Sequence, residues 1–235
     1  MRTIEYYQQL LLDPEQSGLL PGFQSKLRWA LDCIRKGQRR YFRTSERCEV
    51  PWVLIGALHH MEGSSDFQRS LGDGSLLPEG VSWDDDAAYA LLQHSSDGDI
   101  LDNIPACLQF AERWNGWGYA KRNLNSPYIW SGTKAGIGVG KFVSDGTYCN
   151  TAFSAQIGVA PILKLAFEAA GILPIPAGVS SEQIRSLQGL LNDIWQDHGM
   201  SIVKLRTDGY WGPKTSAAIS MTFMSWEQPD EECEG

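Results

Sequence analysis

Nowhere does this chain run to about 20 consecutive apolar residues, the length a membrane-crossing helix needs, and its N-terminal MRTIEYYQQLLLDPEQSG carries no apolar core of signal-peptide length. Neither a membrane span nor a classical export signal is expected, and synthesis is assigned to the cytoplasm. Cysteine is sparse: five residues, at 33, 48, 107, 149 and 233, whose irregular spacings match no zinc pattern and leave at least one thiol unpaired. Free thiols in a reducing compartment are the simpler expectation. Histidine is scarcer still, with His59, His60, His94 and His198 and no HExxH order. His59 and Glu62 are three apart and can share a helix face, but a packed, hydrogen-bonded histidine is expected there, with no metal and no other cofactor. Cationic charge is also short, 20 Lys and Arg against 28 Asp and Glu, for a net charge of −8. Phosphate binding needs a basic footprint, so nucleic acid is excluded as a partner. Internal repeats and low-complexity tracts are lacking too.

What is present is concentrated between Glu112 and Thr133, ERWNGWGYAKRNLNSPYIWSGT, where Trp114, Trp117, Tyr119, Tyr128 and Trp130 alternate with Asn, Ser, Gly, Arg and Lys. A core helix would repeat aliphatic residues at period 3.6. Sugar rings have apolar C–H faces and hydroxyl edges, so a groove for an oligosaccharide needs this mixture of aromatic platforms and polar tips. The competing reading is an aromatic loop that plugs the side of a core.

Upstream, in PWVLIGALHHMEGSSDF, an apolar run from Trp52 to Met61 ends in Glu62. Ile55, Leu58 and Glu62 fall on one helix face, the face expected to turn inward, so the carboxylate is expected to be at least partly buried. Gly63, followed by Ser64 and Ser65, reads as the helix end and places Glu62 near the negative pole of the helix dipole. Desolvation and that dipole both disfavour the charged form and raise the pKa, as a general acid working near neutral pH requires.

The order Glu62, a Gly/Asp-rich loop SLGDGSLLPEG, a helix, then WNGWGY and SPYIWSGT resembles the lysozyme-superfamily peptidoglycan hydrolases of phages and bacteria, over roughly Leu27 to Gly171. Goose-type and transglycosylase relatives usually follow the catalytic Glu directly with Ser, whereas here Gly63 intervenes. The resemblance implies a mainly α (α+β) fold with a small β region. It also implies a muramidase in which Glu62 protonates the glycosidic oxygen between N-acetylmuramic acid and N-acetylglucosamine. Asn115, Tyr119, Tyr128, Trp130 and Trp114 are the candidate sugar contacts. Asp73, in the loop expected to form a cleft-lining β-hairpin, and Asp66 are candidates for a second carboxylate, although Asp66 also suits a cap and Asp73-Gly74 an ordinary turn. If neither reaches the sugar, Glu62 can act alone and the muramic hydroxyl attacks, which is lytic transglycosylation. A catalytically inert wall-binding or virion structural protein is the alternative from another class. A wall amidase or peptidase would need zinc ligands or a Cys/His pair, and the surroundings of Cys107 and Cys149 match no nucleophile signature. Asp84, Asp85 and Asp86 read as the solvated first turn of a helix capped by Ser82.

The C-terminal SSEQIRSLQGLLNDIWQDHGMSIVKLRTDGYWGPKTSAAISMTF is similar to small three-helix peptidoglycan-binding modules. Leu187-Gln188, Leu191-Asn192 and the turn Asp208, Gly209, Gly212, Thr215 carry that likeness. Ser180 or Ser181 can cap a helix whose apolar face is Ile184, Leu187, Leu191 and Ile194. Most of the motif shapes a turn, and Tyr210 and Trp211 are the candidate wall contacts. With PIPAGVSS as a short seam, the chain is divided into a catalytic domain at 1–173, a linker at 174–180, a binding module at 181–226 and a disordered acidic tail at 227–235. The expected partner is bacterial peptidoglycan, with no membrane, for a monomer made in a host cytoplasm and acting on the wall in the periplasm or outside. A phage endolysin released at lysis matches that combination.

Overall fold

The computed structural model describes residues 2–95, 101, 103–144, 146–169, 180–197, 204–209, 215 and 218. The chain divides into two compact units, Met1–Ala166 and Phe167–Gly235. The architecture is mainly helical, with one two-stranded sheet among the described residues. In chain order the elements are α1 (Ile4–Leu12), α2 (Pro14–Ser17), α3 (Gln24–Cys48), α4 (Trp52–Gly63), α5 (Trp83–His94), α6 (Ile104–Trp114), α7 (Pro127–Trp130), β1 (Lys141–Ser144), β2 (Thr147–Cys149), α8 (Val159–Ala169) and α9 (Ser181–Asp197). Among the described residues no helix is long and apolar enough to cross a membrane.

The organising element of the first unit is α4. From Val53 to His60 every residue is buried, so the helix is enclosed on all sides and not on one face as the Ile55/Leu58/Glu62 pattern suggests. Glu62 is half-buried because the helix emerges there. Along α3, Leu27, Ala30, Ile34, Gly37, Tyr41, Thr44 and Cys48 form a buried stripe at steps of three and four, the signature of a helix packed along one side. Gly56 lets α3 and α4 close on each other, since a Cβ there would come within 2.9 Å of the Ile34 Cγ2.

The left-handed turn that ends α4 falls on Ser64 and Ser65, with φ of 53° and 63°, and not on Gly63. Gly63 is the last helical residue, and its small size has a packing reason: a Cβ would stand 3.2 Å from the Arg69 Cβ and 3.4 Å from the His59 ring. Ser64 faces solvent, and Ser65 Oγ lies 3.2 Å from His60 Nδ1.

His59 is wholly buried, with its Nε2 3.0 Å from the Asp66 carbonyl and its Nδ1 2.9 Å from the Tyr41 hydroxyl. A carbonyl only accepts, so Nε2 carries the proton and Nδ1 accepts from the tyrosine. Burial depresses the His59 pKa to about 4, consistent with a neutral ring packed against Trp83 and Phe67, and also lowers that of His60, whose ring packs against Trp29.

The acids that open α5 do more than cap it. Asp84 pairs with Arg40 (3.2 Å) and Arg43 (3.7 Å), and Asp85 with Arg47 (2.8 Å), tying α5 to α3. Asp86 accepts from Ser70 Oγ and the Leu71 N–H, so it holds the 70–75 loop. The Ser82 side chain makes no cap bond. A further buried acid, Glu112 of α6, is 0% exposed and is met by the Tyr7 hydroxyl of α1 and by Arg2 at 3.8 Å. Burial raises its pKa, and its partners make it a fastener between α6 and α1.

In the second unit, α9 opens with a reciprocal capping box: Gln183 N–H donates to Ser180 Oγ (3.3 Å) and Ser180 N–H to Gln183 Oε1 (2.8 Å). Ile184, Leu191 and Trp195 pack with Leu205 and Ala218, while Leu187 and Ile194 are partly buried beside them. Gln188 is buried and bridges the following turn, donating to Asp208 Oδ1 and Thr215 Oγ1 and accepting from Gly209 N–H. Asn192 exchanges two bonds with the Leu205 backbone. The polar half of this motif is therefore structural. Tyr210, Trp211, the linker residues 174–179 and the tail at 227–235 lie outside the described residues.

Candidate active site

Glu62 occupies the last turn of α4, and two side chains from distant segments converge on one of its oxygens. The Tyr128 hydroxyl donates to Oε1 at 2.7 Å and the Trp114 indole N–H donates to the same atom at 3.2 Å. Tyr128 is presented by α7, a single turn opened by Pro127 at its first position, where the missing N–H costs nothing. Trp114 ends α6, wedged against His94 (ring centroids 4.4 Å) and Phe110 (6.3 Å). Burial raises the Glu62 pKa; the two hydrogen bonds pull it down, and the charge of Asp73 pushes it up again. Burial and the charge of Glu62 hold the Tyr128 hydroxyl well above its ordinary range, so it remains a donor.

Asp73 reaches this site through the backbone. Its turn is closed by Ser70 N–H to Ser75 O (2.7 Å) and Gly74 N–H to Ser70 O (3.0 Å), and an isolated bridge joins Arg69 to Leu76. Gly74 has φ +70°, and a Cβ there would fall 2.5 Å from the Glu62 carbonyl, so the turn lies directly on the end of α4. Asp73 is exposed, and its hydrogen bonds from Ser75 hold its carboxyl below the usual range. The paired strands expected in this loop are elsewhere: the described two-stranded sheet is β1–β2, while 69–76 is an irregular turn with one bridge. Asp66 takes the capping role that its position also suits. Its carboxylate accepts from Gln68 N–H (3.0 Å) and pairs with Arg69 (3.7 Å), so it shapes the exposed turn after α4.

A cleft of about 490 Å³ is lined by Met61, Asn115, Tyr119, Tyr128, Lys141, Phe142 and Gln156 among others; Glu62 is not itself part of the lining and adjoins it through its neighbour Met61 and its hydrogen-bond partner Tyr128. Asn115, Tyr119 and Tyr128 therefore line one surface. The Tyr119 hydroxyl is already used, accepting the Phe142 N–H at 3.0 Å and fixing β1 to the cleft wall. Trp130 is a correction: it is 0% exposed and belongs to the core. Residues 128 and 130 are about 200° apart on a helix, so a turn that aims Tyr128 at the cleft drives Trp130 the opposite way. Trp114, 9% exposed, contacts the acid and does not line the cleft.

The sequence reading missed the wall formed by Lys141, Phe142 and Ser144, and Gln156, whose side chain donates to the Met61 carbonyl at 2.9 Å. A signal for the hairpin existed in KFVSDGTYC, an Asp-Gly turn between short β-prone runs. Comparison with protein-family models, curated proteins and solved structures finds no match to this chain.

Proposed function

We propose that this protein is a muramidase that cleaves the glycan strands of bacterial peptidoglycan, with Glu62 as general acid. The observation that carries this reading is the carboxyl of Glu62, half-buried, raised in pKa, and held at one oxygen by Tyr128 and Trp114 beside a cleft of amide and aromatic side chains. Because both donors take Oε1, the proton resides on Oε2. From there it passes to the glycosidic oxygen as the C–O bond breaks and positive charge develops on the sugar. The carboxylate left behind is stabilised by the same two donors. Asp73, held ionised, supports the developing cation or takes a proton from the attacking water; environments that push two neighbouring carboxyls apart in pKa suit an acid and a base.

The exposure of Asp73 favours one second reading, lytic transglycosylation, in which Glu62 returns as base and the muramic hydroxyl closes an anhydro ring. Mass spectrometry of the products from purified wall separates the cases. New reducing ends support hydrolysis, anhydro ends support transglycosylation, and release of peptides alone would refute both.

The lysozyme-like reading extends to the first unit as a whole, and that of a peptidoglycan-binding module to the second, in a phage endolysin that reaches the wall at lysis. A chain ending at Leu173 is expected to keep its activity on soluble glycan fragments but to sediment several-fold less with wall sacculi, since tethering raises local concentration. Equal sedimentation would show that the second unit is not a tether.

Tyr128→Phe provides a test in pH. The Tyr128 hydrogen bond lowers the Glu62 pKa, so its removal raises that pKa further. The acid must be protonated to work, so activity is lost as pH rises through its pKa. The alkaline limb of the rate profile should therefore move to higher pH, with a lower maximum. An unmoved limb would show that the hydroxyl does not act on Glu62.

A further inference from the structure

Lys141 is the one charged side chain among the described residues that line the cleft. It is exposed at the start of β1, opposite Cys149, and among the described residues it makes no ion pair. The Arg122 guanidinium, which is not part of the cleft lining, lies against the same hairpin, 5.6 Å from the Phe142 ring centroid and 4.9 Å from that of Tyr148. The lining otherwise consists of neutral amides, hydroxyls, aromatic rings, Met61, Pro127 and backbone, in a chain whose net charge is −8. A cleft whose charge opposes that of the rest of the chain attracts an anion. An unsubstituted N-acetylglucosamine polymer offers no charge for Lys141 to meet. A wall glycan does, because the peptide arms on its muramoyl residues carry carboxylates.

Resting on the glycan-cleft reading, we propose that Lys141 is a specificity-determining residue that pairs with a carboxylate of the peptide arm. It makes the cleft prefer peptide-bearing wall glycan over neutral chitin-type chains. The pair is solvent-exposed and contributes modestly, so about a two- to fivefold preference at low salt is expected, falling as ionic strength rises.

The test measures equilibrium binding to the full-length protein carrying Glu62→Gln, which prevents turnover. The probes are a peptide-bearing wall tetrasaccharide and chitotetraose. Adding Lys141→Gln should weaken the first about two- to fivefold and leave the second unchanged, while Lys141→Arg retains the preference. Equal weakening of both ligands, or of neither, would overturn the proposal while leaving the glycan cleft intact. Binding of neither ligand before Lys141 is changed would instead sink the glycan-cleft reading, and this proposal with it. The comparison is repeated with Asp145→Asn, since Asp145 lies between β1 and β2 in the chain and outside the described residues. There the Lys141→Gln loss persists if the lysine meets the ligand, and disappears if it served only that neighbour.

Discussion

Glu62→Gln is expected to reduce wall lysis at least about a hundredfold, the lower range for loss of an acid catalyst, with the fold unchanged. The amide keeps the shape of the side chain and a carbonyl oxygen that can accept from Tyr128 and Trp114. What it lacks is the transferable proton on the other atom. Removing a carboxyl disfavoured by burial should not weaken the protein, so the melting temperature is expected to hold or rise. Turbidity clearing of outer-membrane-stripped cells, with circular dichroism as the control for folding, decides the matter. Clearing within a few-fold of the parent would remove Glu62 from the mechanism.

Trp130→Ala is expected to produce the largest loss of stability, about 3–5 kcal/mol, the range for emptying a buried indole site. Trp130 is 0% exposed and lies next to Ile129, which is also fully buried, so the cavity cannot be filled by solvent rearrangement alone. Denaturant unfolding should show the loss, while the native fraction should bind chitooligosaccharides as the parent does. The opposite result, weaker sugar binding with stability nearly unchanged, would return Trp130 to the cleft surface. The same substitution at Tyr119 is expected to be milder, because that ring, although 7% exposed, lines the cleft and its hydroxyl tethers only one backbone N–H.

Some of this was legible in one dimension. A carboxylate closing an apolar run is conspicuous because burial of a charged group is costly, and Glu62 is where α4 leaves the core. The second unit's helix was legible for a local reason: its cap, apolar face and Gln188/Asn192 pair all lie within the 18 residues from Ser180 to Asp197. The mainly helical class was the expectation that the resemblance carried, and the described residues are mainly helical. His59 was legible as a packed histidine, although Tyr41, which bonds it, lies 18 residues away.

The sequence by itself determined which residue is the candidate acid and which segment carries the aromatic and amide groups. Those properties depend on neighbours within a few turns. Only the tertiary structure decided that Tyr128 and Trp114, 66 and 52 residues from Glu62, meet at the same oxygen. It also decided that the turn at Gly74 packs against the end of α4 while the Asp66 carboxylate is engaged by Gln68 and Arg69, and that a hairpin beyond residue 140 forms a wall of the cleft. The division between Tyr128 and Trp130 shows why: the two rings are two residues apart and look equivalent in the chain. The phase of one helical turn, set by what packs against it, sends one to the cleft and the other to the core.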